Sequence, residues 1–324
     1  MKKIIITGAN GFLGSTLAAK LQQDGYHVRC LVRYGSDAQL ITDPNSIYYV
    51  DYADDEDMKA ALAGYHIIIH TAALTKANNE ATMNSTNVGL TKKLVSLANH
   101  VSSIRQFVFI SSQAASGPAH FGIAKKEEDL CEPVSWYGRS KLKAEQAIHA
   151  SCQKPFTIIR SCSIFGPGEK DFLEMFKLIK HHLALFPGYC SRRLNLIFVD
   201  DLVSLITLTL DNPKAFNQTF NASDGIQYTM QQFAKNMQRA MDTFAVFVYL
   251  PVWMLKVGAV GCEFIARLRH KSALINRQKV IEMTQPHWLI DTQKAQKILG
   301  FKPQWDQTRA LKKTYHWYKE HSWL

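Results

Sequence analysis

Lys3-Ile-Ile-Ile-Thr7-Gly-Ala-Asn-Gly-Phe-Leu-Gly14 opens the chain and decides its fold. A short β-branched run passes directly into glycines spaced Gly8-x-x-Gly11-x-x-Gly14, and a helical pattern follows. Glycines let a backbone turn sharply and approach a pyrophosphate, while the start of a helix offers free amides and a partial positive charge. Strand, loop and helix in this order predict a dinucleotide site on a parallel sheet.

The rhythm continues for some 160 residues. Candidate strands are Lys3–Thr7, His27–Val32, Ile47–Val50, His66–His70, Gln106–Ile110 and Phe156–Arg160, with helical patterns over Phe12–Gln23, Asp55–Ala63, Asn84–Asn99 and Trp136–Ser151. Alternating β and α runs predict an α/β fold, a Rossmann-type doubly wound parallel sheet. Beyond Gly166 come a helix near Phe172–His181, a run Leu194–Val199, a helix Leu202–Leu210, a strand Thr219–Asn221 and a strand Val246–Leu250. The expected organisation is a dinucleotide-binding domain over 1–165, with 194–225 returning to it. The rest of 166–324 forms a smaller, mainly helical substrate lobe over the carboxyl edge of the sheet.

Composition narrows the partners. The 324 residues carry a net charge of +11 and a pI near 9.3, but the basic residues come as scattered pairs such as Lys125-Lys126 and Arg192-Arg193. No nucleic-acid motif accompanies them, so a basic surface that attracts a phosphorylated cofactor is the expectation. Six cysteines (30, 131, 152, 162, 190, 262) are widely spaced, without Cys-x-x-Cys or a zinc-like cluster. Free thiols, no metal and a reducing, cytoplasmic setting follow. The N-terminal apolar run is too short for a signal peptide. Phe244–Leu255 lacks charge for twelve residues, fewer than the roughly 20 a bilayer crossing needs. Pro251 fits a first turn, so Val252–Leu268 is expected as a core or pocket-lining helix, with contact of 244–268 with a membrane surface as the alternative.

Two positions select the cofactor. The second strand ends in Arg33, which tolerates a ribose 2′-phosphate and tilts the choice from NAD to NADP, although Asp37 lies close by. Asp51-Tyr52 ends the third strand, where it can cap an adenine; the acidic start of the next helix explains the charge equally well. Tyr137-Gly-Arg-Ser-Lys141 then sets a phenol and an amine one helical turn apart, where the ammonium favours the ionised phenol.

With these segments in hand, the chain resembles the extended branch of the short-chain dehydrogenase/reductase superfamily, the NAD-dependent epimerase/dehydratase family. The match runs over nearly the full length. Thr7–Gly14, His70-Thr-Ala-Ala73, Asn87-Val-Gly-Leu-Thr91, Phe107-Val-Phe-Ile-Ser-Ser112, Tyr137–Lys141, Arg160–Gly168, Phe198-Val-Asp-Asp201 and Leu299-Gly-Phe-Lys-Pro303 occur in order, with Leu90 where the family has glycine. The resemblance implies that Tyr137 exchanges a proton with a substrate oxygen as hydride passes to or from the nicotinamide. Lys141 holds the nicotinamide ribose and Ser112, with Ser111 competing, binds the carbonyl oxygen. Asn87 completes the set, although an N-cap role accounts for it too. Gly8, Asn10, Gly11, Phe12, Leu13, Gly14, Arg33, Asp51, Tyr52, Thr71, Ala72 and Ala73, together with Tyr137 and Lys141, are the implied cofactor contacts.

Substrate signals are mixed. Nucleotide-sugar members typically carry asparagine where this chain has Ser163, and their diphosphate-binding arginine has counterparts in Arg192 and Arg193. Arg160–Gly168, Arg192-Arg-Leu-Asn195 and the apolar 244–262 stretch look more like the 3β-hydroxysteroid dehydrogenase and dihydroflavonol reductase-like groups. The expected activity is NAD(P)-dependent alcohol/ketone interconversion on a bulky hydrophobic small molecule, with Thr75, Ser163 and Arg193 as substrate contacts. The alternatives are a nucleotide-sugar 4-epimerase or dehydratase with tightly held NAD, and a non-catalytic NAD(P)-binding sensor or assembly subunit. The fold also commonly forms homodimers through helices beside the sheet.

Overall fold

The computed structural model describes residues 2–188, 192–268 and 276–324, with backbone alone for 264–268. Cys190 lies outside the described residues. Seven strands form one parallel sheet: β1 Lys3–Thr7, β2 His27–Arg33, β3 Ile47–Val50, β4 Ile67–His70, β5 Gln106–Ser112, β6 Phe156–Ser161 and β7 Gln218–Ala222. Their order is β7-β6-β5-β4-β1-β2-β3. The chain therefore reverses direction across the sheet between β1 and β4, the crevice where such sheets bind ligands.

Both faces are covered. Ile4 and Ile6 point into one apolar layer and Ile5 into the other; Ile67 and Ile69 oppose Ile68, and Val108 and Ile110 oppose Phe107 and Phe109. This explains why the strands read as continuous apolar runs rather than alternating ones. In register, Thr7 pairs with His70 and His70 with Phe109, so Gly8, Thr71 and the end of β5 emerge along one carboxyl edge.

Some boundaries differ from the sequence reading, each for a local reason. The helical run expected from Asn84 begins at Glu80, because the Asn79 side chain accepts from Thr82 N–H at 2.8 Å, and it contains a π-turn over Ser85–Gly89 before Leu90–His100. Asn87 is thus inside the helical run and is not its N-cap. The run Leu194–Val199 divides at Asn195, whose buried side chain donates to Ile226 C=O at 2.7 Å and accepts from Ile290 N–H at 2.8 Å. Arg193–Leu194 and Leu196–Phe198 then serve different small sheets.

Beside the sheet, the segment expected as a substrate lobe contains helices Asp171–Lys180, Met230–Met241, Val252–Leu268 and Arg277–Met283 with short strand pairs, including Leu183–Pro187 beside Val246–Leu250. Val199–Thr209 packs on Phe12–Gln23, and β7 completes the main sheet. Of the described side chains of Val252–Leu268 only Ala259 is buried; Trp253, Met254, Val257 and Val260 are exposed, so the described side chains of this helix lie largely outside the core. Among the described residues no helix is long and apolar enough to cross a membrane. Among the described residues five cysteines, Cys30, Cys131, Cys152, Cys162 and Cys262, are free, and no group of three or more His, Cys, Asp or Glu residues is placed to hold a metal.

Candidate active site

The glycine loop closes tightly under the start of helix Phe12–Gln23. Gly8 has φ +69°, and a Cβ there would stand 2.7 Å from the Ala72 backbone; one on Gly14 would stand 2.3 Å from Gly8 O. Only hydrogen fits at either place. Gly11 N–H donates to Gly8 O at 3.0 Å, and the helix that starts after Gly11 has no side-chain cap. Phe12 and Leu13 lie half-buried in its first turn. These features fit a dinucleotide: a backbone stripped of side chains faces uncapped helix amides.

Neighbouring groups frame this cradle. The Tyr52 hydroxyl donates to Leu31 C=O at 3.3 Å and stands close to the Gly8 backbone and the Arg33 guanidinium; burial pushes its phenol up. Arg33 is exposed at the end of β2. Asp37 is partly spent, since its carboxylate accepts from Gln39 N–H at 3.0 Å while its carbonyl accepts from Asn10 at 2.9 Å. Asp51 accepts from Ala53 N–H at 2.8 Å, and Asp54 caps the following helix through Glu56 N–H at 2.8 Å. Thr71 donates to Thr7 C=O at 2.7 Å, which fixes the turn that carries Ala72 and Ala73.

Tyr137 and Lys141 stand on helix Trp136–Ser151, capped by Ser135, whose oxygen accepts from Gly138 N–H at 3.0 Å. Gly138 escaped the sequence reading, yet a Cβ there would lie 2.2 Å from Ala114 O; it lets the helix approach the segment after β5. Lys141 is 2% exposed, donates to Ile110 C=O at 2.6 Å and lies 4.0 Å from the centre of the Phe109 ring. Burial lowers its pKa to about 7. Burial, and next the Glu282 carboxylate, raise the Tyr137 phenol to about 12, and a hydrogen bond with the Ser112 hydroxyl partly opposes them.

Strand alternation separates the two serines of β5. Ser111 is buried and donates to Glu145, which pairs with the buried Arg160 at 2.7 Å, so Ser111 belongs to a structural ion-pair cluster. Ser112 instead faces the phenol and accepts from Ala114 N–H at 3.1 Å. Asn87, 3% exposed, accepts from Leu74 N–H at 2.7 Å and donates to Leu74 C=O at 3.0 Å and to Ser140 Oγ at 2.8 Å. Thr75 follows that clasped residue and is exposed.

The remaining substrate candidates stand apart from this cluster in the secondary structure. Ser163 is exposed in a short strand beyond β6, and Arg193, exposed in the lobe, reaches Gln227 at 3.4 Å. Arg192 donates to the carbonyls of Pro187 at 2.5 Å and Met283 at 3.0 Å. Sequence reasoning did not anticipate Gln278, Lys279 and Glu282 of the lobe helix Arg277–Met283; Gln278 accepts from Trp136 N–H at 2.9 Å, and Glu282 from the Ser135 hydroxyl at 2.5 Å. A signal of sorts was present, since Asn276 caps a run whose polar residues fall one turn apart.

A parallel doubly wound sheet, a glycine-rich phosphate loop at β1 and a Tyr/Lys pair beside serine define an NAD(P)-dependent enzyme of the extended short-chain dehydrogenase/reductase type. The NAD dependent epimerase/dehydratase family model matches residues 4–223, and the chain belongs to that family. Among curated relatives it is 27% identical over 326 residues to a UDP-glucose 4-epimerase of Vibrio cholerae, covering 97% of this chain and 94% of that one. It is 29% identical to a decarboxylating sterol-4-alpha-carboxylate 3-dehydrogenase of Dictyostelium discoideum, over 78% of this chain and 80% of the other. The crystal structure of a Thermotoga maritima UDP-glucose 4-epimerase superposes with a TM-score of 0.82 at 20% identity, over 99% of both chains.

Proposed function

We propose that this protein interconverts an alcohol and a ketone on a bulky, hydrophobic small molecule, with Tyr137 as acid/base. The observation that carries the reading is the phenol of Tyr137 held between the Ser112 hydroxyl and the helix that bears Lys141. A bound dinucleotide supplies or accepts the hydride. Ser112 orients the substrate oxygen, Tyr137 gives that oxygen its proton in reduction and takes it back in oxidation, and Lys141, one turn further along the helix, is assigned to the nicotinamide ribose.

Cofactor contacts are assigned to Gly8, Asn10, Gly11, Phe12, Leu13 and Gly14 for the pyrophosphate, and to Arg33, Asp51 and Tyr52 for the adenosine end. Thr71, Ala72 and Ala73 cover the middle. NADP is the preferred form because Arg33 is exposed at the end of β2 while Asp37 is engaged within its own loop. A hydrophobic substrate is favoured by two facts. Ser163 replaces the asparagine of nucleotide-sugar members, and Arg192, one of two arginines available for a diphosphate, is engaged with backbone carbonyls. The exposed side chains Trp253, Met254, Val257 and Val260 supply an apolar approach, through which 244–268 would also meet a membrane surface.

The similarity to a UDP-glucose 4-epimerase over 97% of the chain supports a second reading, in which a retained cofactor is reoxidised within each cycle. Net turnover separates the two. Steady loss of NADPH absorbance with apolar ketones supports the first, whereas conversion of a nucleotide sugar by protein that retains NAD, without net redox change, replaces it with the second. In either case Tyr137→Phe should cut turnover by about 10²–10⁴-fold with cofactor affinity nearly unchanged. An unaffected rate would remove the phenol from the mechanism and return the sensor reading.

A further inference from the structure

The lobe meets the catalytic helix through the short helix Arg277–Met283. Two of its side chains, one turn apart, reach the first residues of Trp136–Ser151. The Trp136 N–H, one of the amides that a helix start cannot satisfy within itself, donates to Gln278 Oε1 at 2.9 Å. The neighbouring N-cap Ser135, 1% exposed, is used twice, because its oxygen accepts from Gly138 N–H while its hydroxyl donates to Glu282 Oε1 at 2.5 Å. Both partners lie more than 140 residues from the helix they complete.

The lobe helix is itself pinned on several sides. Lys279 pairs with Asp171 at 3.3 Å, and Asp171 also pairs with Lys76, from the loop after β4, at 2.9 Å. Arg277 pairs with Glu263 at 2.9 Å, and Trp288 Nε1 donates to the Glu282 carbonyl at 2.9 Å. Glu282 is therefore held in place independently of Ser135. Its carboxylate also acts electrostatically on the Tyr137 phenol.

We propose that Glu282 is a positioning residue for Tyr137: it anchors the cap of the catalytic helix through Ser135 and sets a carboxylate toward the phenol, so that the lobe governs both the placement of Tyr137 and the charge it faces. The inference rests on the reading of Tyr137 as acid/base. The ionisable group that acts on the phenol is Glu282 from the lobe helix, with Lys279, Asp171 and Glu169 behind it, while Lys141 of its own helix is turned to the Ile110 carbonyl and the Phe109 ring. A carboxylate facing the phenol favours the form that still holds its proton, the form consumed in ketone reduction. Burial raises the carboxyl of Glu282, but it ionises well before a phenol does.

The test reads the phenol directly and does not depend on a known substrate. The full chain is labelled with 3-fluorotyrosine, whose phenol titrates at lower pH than tyrosine, and the residue 137 resonance is identified by its loss in Tyr137→Phe. Fluorine spectra are recorded against pH with and without NADP. Glu282→Gln keeps an acceptor for Ser135 but removes the charge, so the midpoint of the 137 resonance should fall by on the order of one pH unit. Glu282→Ala should lower it equally and also displace the resonance at neutral pH, because the cap is released. Glu282→Asp, with a shorter carboxylate, provides a third folded variant in which a smaller change is expected. An unmoved midpoint in Glu282→Gln overturns the proposal whatever the turnover. A moved midpoint with full turnover in Tyr137→Phe keeps the placement and overturns the acid/base reading instead.

Discussion

Asn87 Nδ2 lies 2.8 Å from Ser140 Oγ, and the Ser140 hydroxyl in turn donates to the Tyr137 carbonyl at 2.8 Å. The same amide clasps both backbone groups of Leu74, so one buried side chain joins the loop after β4 to the first turn of the catalytic helix. Removing it leaves buried groups without partners, at about 1–3 kcal/mol. Asn87→Ala should lose stability of that order in urea denaturation and also lose turnover, since the loop carrying Thr71–Thr75 is freed beside Tyr137. A variant as stable as the parent would show that the clasp is replaceable.

His70 sits deeper in the same network. It shares hydrogen bonds with Thr7 Oγ1 at 2.7 Å and Thr91 Oγ1 at 3.1 Å, and Thr91 donates to Asn87 C=O at 2.7 Å. Burial, with Lys141 nearby, lowers its pKa from 6.5 to about 3. Between those values the unfolded chain binds a proton that the folded one refuses. His70 therefore costs nothing above about pH 6.5 and destabilises progressively as pH falls toward 3. His70→Gln, which does not titrate, should show a shallower loss of melting temperature between pH 6.5 and 4. Parallel profiles for the two proteins would mean that the imidazole gains its proton in the folded state.

The sheet was legible because its central strands are buried on both faces and therefore stand out as apolar runs: Lys3–Thr7, the edge strand Ile47–Val50 and the capped helix Trp136–Ser151 have the boundaries that pattern and punctuation predict. The glycine loop was legible for the same reason, being a local device. Contacts between distant segments were not. Glu145, which takes Ser111 out of contention beside Ser112, is separated from it by 34 residues, and nothing in a strand ending in two serines reveals which faces the phenol. Likewise, Glu282 and Gln278 read as surface residues of a short helix until the lobe folds onto Ser135 and Trp136. Asn87 looked like a cap because asparagines favour helix starts, but the start had already been taken by Asn79.

Arg33 should decide the cofactor. It is exposed, and its charge lies close to Tyr52 at the mouth of the glycine loop. Arg33→Ser should weaken NADPH binding by about tenfold, one lost charged contact, with NADH binding nearly unchanged. Titration of cofactor fluorescence measures both constants. Equal losses for the two cofactors would place Arg33 outside the 2′-phosphate site.

Lys141 carries the sharpest pH signature. Its amine is buried against Phe109 and the Ile110 carbonyl, and burial lowers its pKa from 10.5 to about 7. Over that interval the unfolded chain holds a proton the folded protein lacks, so stability falls as pH drops from about 10.5 to 7 and the full cost persists below 7. Lys141→Met, apolar and of similar length, should flatten this slope: its melting temperature relative to the parent should be highest at pH 6 and decline steadily toward pH 10. The same variant should lose turnover by about 10²-fold or more, because the amine assigned to the nicotinamide ribose is then missing one turn from Tyr137. Differential scanning calorimetry across pH gives the first result and NADPH consumption the second. A pH-independent difference in melting temperature would mean that the ammonium is solvated in the folded protein, and with it the assigned burial of Lys141 would fail.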